Sequence, residues 1–187
     1  FDTHLAPLKG WLAALEKGVS AHGAEKIFSA RISDPSGKII HAGMVVDHNH
    51  TPVSAYHRLD INFPAAVKER KFQMADHFFA VRKALFYKAG GFSPDAGKYW
   101  LLDLCLKTGQ LIGHTNTVMY LPDLQCIFLA DPPEKRPPDD NIYFYSRWHG
   151  TLWESETALR SEDNLSLKDI SQSKLMAAMQ SRHPTNG

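Results

Sequence analysis

The chain has 187 residues, of which 43% are hydrophobic and 22% are charged, a composition typical of one globular domain or of one domain with an appendage. Its 21 basic and 20 acidic side chains leave a net charge of +1, which gives no electrostatic reason to expect nucleic acid as a partner. No apolar run approaches the roughly 18 residues that a membrane-spanning helix needs, so we expect no span within this chain. Cys105 and Cys126 lie in apolar contexts and are predicted to be reduced core thiols.

The first third of the sequence predicts a helix followed by a pair of strands. Apolar residues at helical spacing predict a helix over residues 7–17. Residues 26–32 alternate between apolar and polar side chains and predict a strand, and residues 38–46 predict a second one. The DPSG turn at 34–37 joins them into a hairpin-like pair. The polar residues 47–64 are predicted to form a long loop, and long loops on compact domains are often functional.

The middle of the chain predicts two more helices and two strand-like runs. Residues 75–89 carry an apolar stripe at helical spacing, and Gly90 and Gly91 provide a stop signal. Residues 98–107 predict a short helix. Residues 111–129 contain two strand-like runs that we expect to be broken at Pro122.

The last third of the chain begins with a change in composition. Residues 132–140, PPEKRPPDD, predict a proline-rich linker. Residues 141–187 are first aromatic-rich and then amphipathic, and the pattern Ser166-x-x-Asp169 predicts the start of a helix. The expected organisation is therefore residues 1–131 as the main domain, 132–140 as linker and 141–187 as a C-terminal helical extension.

Asp103 is the most conspicuous candidate for chemistry, because it stands alone in the apolar run WLLDLCL. A carboxylate there loses hydration unless it is paired or lies at the wall of a cleft. Asp103 is therefore either a candidate general base or a structural residue that bonds to neighbouring groups. The sequence leaves both alternatives open.

A second candidate site is the histidine-rich stretch Asp47-His48-Asn49-His50, with His57 nearby. On a strand, His48 and His50 would share a face, as two metal ligands need. A metal-dependent hydrolase built on these histidines is one interpretation. A solvated polar loop is the simpler interpretation, because no Cys or Glu follows at ligand spacing.

Several sequence fragments follow one another in an order that is similar to that of a known family. They are FDT at 1–3 followed by GWLAAL at 10–15, DPSG followed by IHAG at 34–43, FAVRKALF leading into AGGF at 79–92, and LDLCLK at 102–107. This order resembles the second half of a family-2 glycosyltransferase of the GT-A fold, over roughly residues 1–125. The resemblance implies an α/β fold with a partial GT-A-like mixed sheet flanked by helices.

The resemblance also implies roles for particular residues. Asp2 would close the motif that holds a divalent metal, Mg²⁺ or Mn²⁺, against the donor diphosphate in the intact enzyme. Asp76 and His77 would lie where the family's acceptor loop runs and would contact the substrate. Trp100 is a further candidate for substrate binding, since its ring could stack on a sugar. The acidic pair that supplies the family's general base is replaced by Trp100 and Leu101 in this chain, which leaves Asp103 as the remaining acidic candidate for catalysis.

The family's nucleotide-binding half comes before the first of these fragments, and the first residue here is Phe1 rather than Met. We therefore expect an acceptor-side half of a longer enzyme of polysaccharide biosynthesis, inactive alone and without a tightly bound metal. Its partners would be a nucleotide-sugar and a carbohydrate acceptor, and unpaired sheet edges would allow a homodimer. We expect a cytoplasmic location, with any membrane association supplied by other parts of the protein. The alternative is a non-catalytic carbohydrate-binding or assembly module on the same scaffold.

Overall fold

The computed structural model describes residues 3–130, 142–153 and 155–163. Eight strands and five helices lie within these ranges, with a short 3₁₀ helix at Pro94–Tyr99 before the third helix. The strands are β1 (Leu5–Pro7), β2 (Ile27–Ser33), β3 (Ile39–His41), β4 (Met44–Val46), β5 (Pro52–Ser54), β6 (Arg70–Phe72), β7 (Ala80–Val81) and β8 (Val118–Phe128). The helices are α1 (Trp11–His22), α2 (Lys83–Lys88), α3 (Trp100–Ile112), α4 (Ile142–Trp148) and α5 (Glu156–Glu162).

A mixed six-stranded sheet organises the fold around its longest strand, β8. Strand β2 pairs with β8 in parallel, while β1 and β6 pair with it antiparallel. Strands β3 and β7 pair antiparallel with the other edge of β2. A second, two-stranded sheet joins β4 and β5. The expectation of an α/β protein with a mixed sheet flanked by helices is confirmed at this level.

Helices cover both faces of the main sheet, so its central strand is buried throughout. All seven residues of β2 are buried, including its polar ones. On one face, Phe28 and Met119 belong to an apolar cluster against which Trp11 and Leu15 of α1 pack. On the other face, Ile27 of β2 belongs to a second cluster that also contains the buried residues Leu101, Leu102, Leu104, Cys105 and Leu106 of α3. Because β2 is enclosed on both faces, it has no solvated side. The polar residues that alternate along its sequence therefore do not mark an exposed face.

The predicted strand over 38–46 is wrong as a single element. Gly43 has a φ of 89° and breaks it, so that β3 pairs with β2 while β4 pairs with β5. The first predicted helix also lies later than expected. It runs from Trp11 to His22 because Gly10, at φ 90°, is in the left-handed conformation just before it.

The predicted helix over 75–89 is helical only in α2, and residues 76–79 are not helical. The reason is tertiary, because Phe78 packs in the cluster on one face of the sheet and Phe79 packs against the cluster on the other face. The predicted break at Pro122 is also wrong, since β8 runs through it. The chain absorbs the proline as a shift in register, with Leu121 opposite Ala30 and Gln125 opposite Arg31.

The described part of the C-terminal extension packs onto the main domain. The Val46 N–H donates to Ser155 Oγ at 3.0 Å, and the Ser155 N–H donates to the Val46 carbonyl at 2.9 Å. Gln73 donates to the Thr151 carbonyl at 2.9 Å. The predicted linker at 132–140 and the predicted helix after Ser166 lie outside the described residues. Among the helices described, none has the length and apolar character to cross a bilayer.

Candidate functional site

Residues 76–79, which we call the junction segment, cross between the two faces of the sheet. Phe78 meets Trp11 of α1 with ring centroids 6.4 Å apart. Phe79 meets Trp100 at the start of α3 with ring centroids 5.9 Å apart. Asp76 and His77, two of the three residues predicted to contact substrate, therefore lie in the junction segment. The third, Trp100, contacts this segment through Phe79.

His41, at the end of β3, is fully buried beside the junction segment. Its Nε2 accepts backbone N–H groups from Gly43 at 3.3 Å and from Asp76 at 3.4 Å, and Ser29 Oγ lies 3.2 Å away. The other ring nitrogen, Nδ1, lies 3.2 Å from Ser54 Oγ. His41 therefore holds the backbone of Asp76 through Nε2.

His77 is held in an unusual backbone conformation next to this ring. Its φ is 62°, in the left-handed region that side-chain-bearing residues adopt only at a cost of about 1–3 kcal/mol. The His77 N–H donates to Asp76 Oδ1 at 2.9 Å, and its Nε2 lies 3.7 Å from Asp76 Oδ2. The imidazole also contacts Phe128, with ring centroids 5.3 Å apart, at the end of β8. Strain that the surroundings enforce at such a place is typical of functional sites.

The start of the described chain lies close to this group of rings. His4 contacts Phe128, with centroids 6.0 Å apart, and Leu5 pairs with Phe128 in the sheet. Phe128 therefore lies between the N-terminal segment and His77. Asp2, the predicted metal ligand, lies outside the described residues.

Asp103 has no exposed surface and is surrounded by donors. Its Oδ2 accepts from Ser93 Oγ at 2.6 Å and lies 3.0 Å from Lys107 Nζ, while its Oδ1 accepts the Trp148 indole N–H at 2.9 Å. The Lys107 ammonium also donates to Ser93 Oγ at 2.9 Å. Each carboxylate oxygen is thus occupied, as the structural alternative for Asp103 predicts. Its catalytic role stays a prediction.

The electrostatics of Asp103 follow from these partners. Burial acts to raise the pKa of its carboxyl, but the hydrogen bonds from Ser93, Lys107 and Trp148 outweigh burial and hold the pKa below its ordinary value. A carboxylate with a lowered pKa is a weak proton acceptor. Asp103 is therefore well suited to fix the start of α3 and less suited to deprotonate a hydroxyl.

The first two residues of α3, Trp100 and Leu101, carry no acid. Leu101 is 1% exposed and packs in the core, whereas Trp100 is half-buried and faces Phe79 and Phe92. The start of α3 therefore presents an aromatic ring. Among the predicted site residues that the structure describes, Asp76 is an acid whose side chain is 14% exposed.

The histidine-rich loop does not assemble as a metal site in the part of the chain that is described. No three His, Cys, Asp or Glu side chains within the described ranges come together as metal binding would require. His50 Nδ1 lies 3.1 Å from the Leu152 carbonyl, and His57 Nδ1 lies 3.2 Å from the Ile40 carbonyl. Asp47 Oδ1 caps its own turn by accepting from the backbone of Asn49.

The sequence did not predict the partners of His41 or the partner of Asp103 on α4. Ser29 and Ser54 hold His41. Ser29 was a polar residue on a predicted strand and Ser54 a polar residue in the predicted loop, and both patterns equally fit solvated side chains. Trp148 belongs to the predicted aromatic-rich segment, but its bond to Asp103 joins residues 45 positions apart. No spacing rule predicts a contact of that kind.

The chain matches no known protein-family model, and no curated protein matches it.

Proposed function

We propose that this chain is the acceptor-side part of a family-2-like glycosyltransferase of the GT-A fold, which in the intact protein moves a sugar from a nucleotide-sugar to a hydroxyl acceptor. One observation carries the proposal: fragments that resemble the family meet at the junction segment. Trp11 packs on Phe78, and the Asp76 N–H bonds to His41. Phe79 contacts both Phe92, from the AGGF fragment, and Trp100, just before LDLCLK.

The meeting of these fragments is informative because they are far apart in sequence. Trp11 and Trp100 are separated by most of the domain, and both are in ring contact with consecutive residues of one short segment. Because Phe78 and Phe79 pack on opposite faces of the sheet, the junction segment links fragments of the resemblance that lie on both faces. The same place carries the left-handed His77.

In this proposal Asp76 and His77 are the groups that an acceptor hydroxyl reaches, since both side chains retain some exposure, at 14% and 13%. Either can accept a hydrogen bond from the hydroxyl and so orient it toward the donor. Asp103 acts as a positioning residue that holds α3, and with it Trp100, against the junction segment. A Mg²⁺ or Mn²⁺ ion, with Asp2 as a ligand, would neutralise charge on the leaving diphosphate when it is bound.

The test is a transfer assay on the intact protein with a panel of nucleotide-sugars and Mn²⁺. We expect hydrolysis or transfer with at least one donor, and a fall of about 100-fold in kcat for Asp76→Asn at unchanged stability. Asp123→Asn, an acid whose side chain is 72% exposed, is the matched control and should keep full activity. Absence of turnover and of donor binding across the panel would refute the proposal.

A second function, a non-catalytic carbohydrate-binding or assembly module, is favoured by Trp100 and Leu101 in place of the acidic pair. It predicts that the intact protein binds glycans on an array without nucleotide or metal. It also predicts no turnover of any nucleotide-sugar. Turnover that Asp76→Asn abolishes would exclude this second function.

A further inference from the structure

Five aromatic rings form one continuous cluster beside the junction segment, and we call it the aromatic patch: Phe79, Phe86, Tyr87, Phe92 and Trp100. Phe92 is at its centre, with ring centroids 4.7 Å from Trp100, 4.9 Å from Phe86 and 5.9 Å from Phe79. Tyr87 extends the cluster from Phe86 at 5.7 Å. The interplanar angles lie between 67° and 78°, the edge-to-face geometry that aromatic pairs prefer.

The aromatic patch reaches the surface. Tyr87 is 65% exposed and Phe92 is 45% exposed, while Phe79, Phe86 and Trp100 are half-buried beneath them. A single exposed aromatic residue needs no explanation, but a continuous cluster that reaches solvent marks an interaction surface.

Two glycines after α2 give the backbone the conformation that this surface needs. Gly90 and Gly91 follow α2 with φ values of 83° and 62°, which reverse the chain and return Phe92 onto Phe86. A Cβ at Gly91 would lie 3.3 Å from the Phe86 ring, so the close approach also favours glycine.

The aromatic patch is flanked by positive charge. Residues 82–92 include Arg82, Lys83 and Lys88 and no acid. Lys83 Nζ lies 5.8 Å from the Tyr87 ring centroid, and Arg82 is paired with Glu25 at 3.4 Å. Within the described residues, Lys83 and Lys88 form no ion pair. The Lys83 ammonium lies over an exposed ring, and Lys88 follows Tyr87 in the sequence and is itself exposed, so the surface is apolar with adjacent positive charge.

We propose that the aromatic patch, together with Lys83 and Lys88, binds an anionic saccharide that carries uronate or phosphate groups. The negative face of each ring attracts the C–H groups on the apolar face of a pyranose, and the two ammonium groups attract the anionic substituents. The assignment of this saccharide as the acceptor rests on the proposed function, because Trp100 joins the aromatic patch to the junction segment. The binding itself does not depend on transfer.

Other partners of this surface fit less well. Stacking rings beside basic residues also suit single-stranded nucleic acid, but the chain has a net charge of only +1 and lacks the overall basic character of such proteins. Helix α2 has six residues, which is too short for an amphipathic helix that lies in a membrane interface. Both partners are included as arms of the test.

The experiment is titration calorimetry of the intact protein, without nucleotide or metal, against oligogalacturonate and against a neutral maltohexaose. We expect oligogalacturonate to bind at least 10-fold more tightly than maltohexaose. Phe92→Ala and the pair Lys83→Glu with Lys88→Glu should each weaken oligogalacturonate binding by 10-fold or more. Trp153→Ala, an exposed ring outside the aromatic patch, and Lys68→Glu, an exposed lysine elsewhere, are the matched controls and should change binding less than 2-fold.

Three results would overturn the inference: no oligogalacturonate binding, equal loss in the control variants, or tighter binding of single-stranded DNA or of anionic vesicles. Tyr87→Ala serves as a second variant if Phe92→Ala unfolds, since Tyr87 is the most exposed ring of the five. Saccharide binding with neither turnover nor binding of any nucleotide-sugar would refute the proposed function and leave this inference standing. Turnover without saccharide binding would refute this inference and leave the proposed function standing.

Discussion

The indole N–H of Trp148 donates to Asp103 Oδ1 at 2.9 Å and joins α4 to the first turn of α3. Both residues have no exposed surface. Lys107, one turn further along α3, lies 3.0 Å from the other carboxylate oxygen. The single acid in the apolar run WLLDLCL is therefore the point at which two helices and the Ser93 turn are tied together.

Asp103→Asn should strongly destabilise the protein. The substitution keeps the shape but replaces a carboxylate by an amide, so the buried Lys107 ammonium loses its charged partner. Removing one member of a buried ion pair costs about 3–5 kcal/mol. Urea denaturation measures the loss in the free energy of unfolding. Asp123→Asn, whose side chain is 72% exposed, should cost no more than about 1 kcal/mol, and a loss that small for Asp103→Asn would contradict the role described here.

The same carboxylate should make stability depend on pH in acid. Because the pKa of Asp103 is lowered in the folded state, its contribution is present above its ordinary pKa of 3.8 and is lost as the pH falls through the folded value. The difference in unfolding free energy between the wild type and Asp103→Asn should therefore be constant near neutral pH and shrink below about pH 4. Urea denaturation at a series of pH values gives this difference directly. A difference that grows in acid would show that the carboxyl is not ionised in the folded protein.

Local patterns predicted the positions of two central elements. The short helix expected at 98–107 appears as α3, and the strand expected at 26–32 appears as β2. The helix expected at 75–89 failed because tertiary packing decided the conformation of residues 76–79. Its apolar stripe was real, but Phe78 and Phe79 must reach opposite faces of the sheet, and a helix cannot place consecutive side chains in that way.

The candidate site was predicted only in part, because some of its residues carry a local signal and others are defined by contacts between distant segments. Asp103 was conspicuous because an acid in an apolar run is a local signal. Its partner Trp148 was not, since the contact spans 45 residues. Ser29 and Ser54 were missed because a polar residue on a predicted strand or in a predicted loop gives the same signal whether it faces solvent or a buried ring such as His41.

Gly43→Ala should be more damaging than Gly10→Ala, although the two glycines have φ values of 89° and 90°. A Cβ at Gly43 would lie 2.2 Å from the Phe72 ring, whereas nothing lies within 4 Å of a Cβ at Gly10. Gly10→Ala should lower the free energy of unfolding by about 1–2 kcal/mol, which is the cost of the left-handed backbone conformation for alanine. Gly43→Ala should cost about 1–3 kcal/mol more, because the core must shift. Thermal and urea denaturation of both variants measure the difference, and equal losses would show that Phe72 moves away freely.

The two cysteines should be unreactive in the folded protein. Burial raises the pKa of the Cys105 thiol to about 12, and the Asp76 and Asp103 carboxylates act in the same direction. Burial likewise raises the pKa of Cys126 to about 11. A disulfide reagent at pH 8 should therefore modify neither thiol in the native protein and both in urea, because the thiolate is the reactive form. Rapid modification of one thiol without denaturant would place it at the surface and contradict its burial.

Tyr56→Phe should loosen the attachment of α5. The Tyr56 hydroxyl donates to Asp163 Oδ2 at 2.5 Å, and Arg70 contacts the other carboxylate oxygen, so Asp163 is held from two sides just after the helix. Removing the hydroxyl leaves the buried carboxylate with one fewer donor and should cost about 1–3 kcal/mol. Hydrogen exchange should then accelerate in residues 156–163 more than in β8. Tyr143→Phe is the matched control, because its hydroxyl accepts from the exposed Arg147 at 2.9 Å, and it should cost less than about 1 kcal/mol. If exchange accelerates equally throughout the domain, α5 unfolds only with the whole protein and is not separately attached through Tyr56.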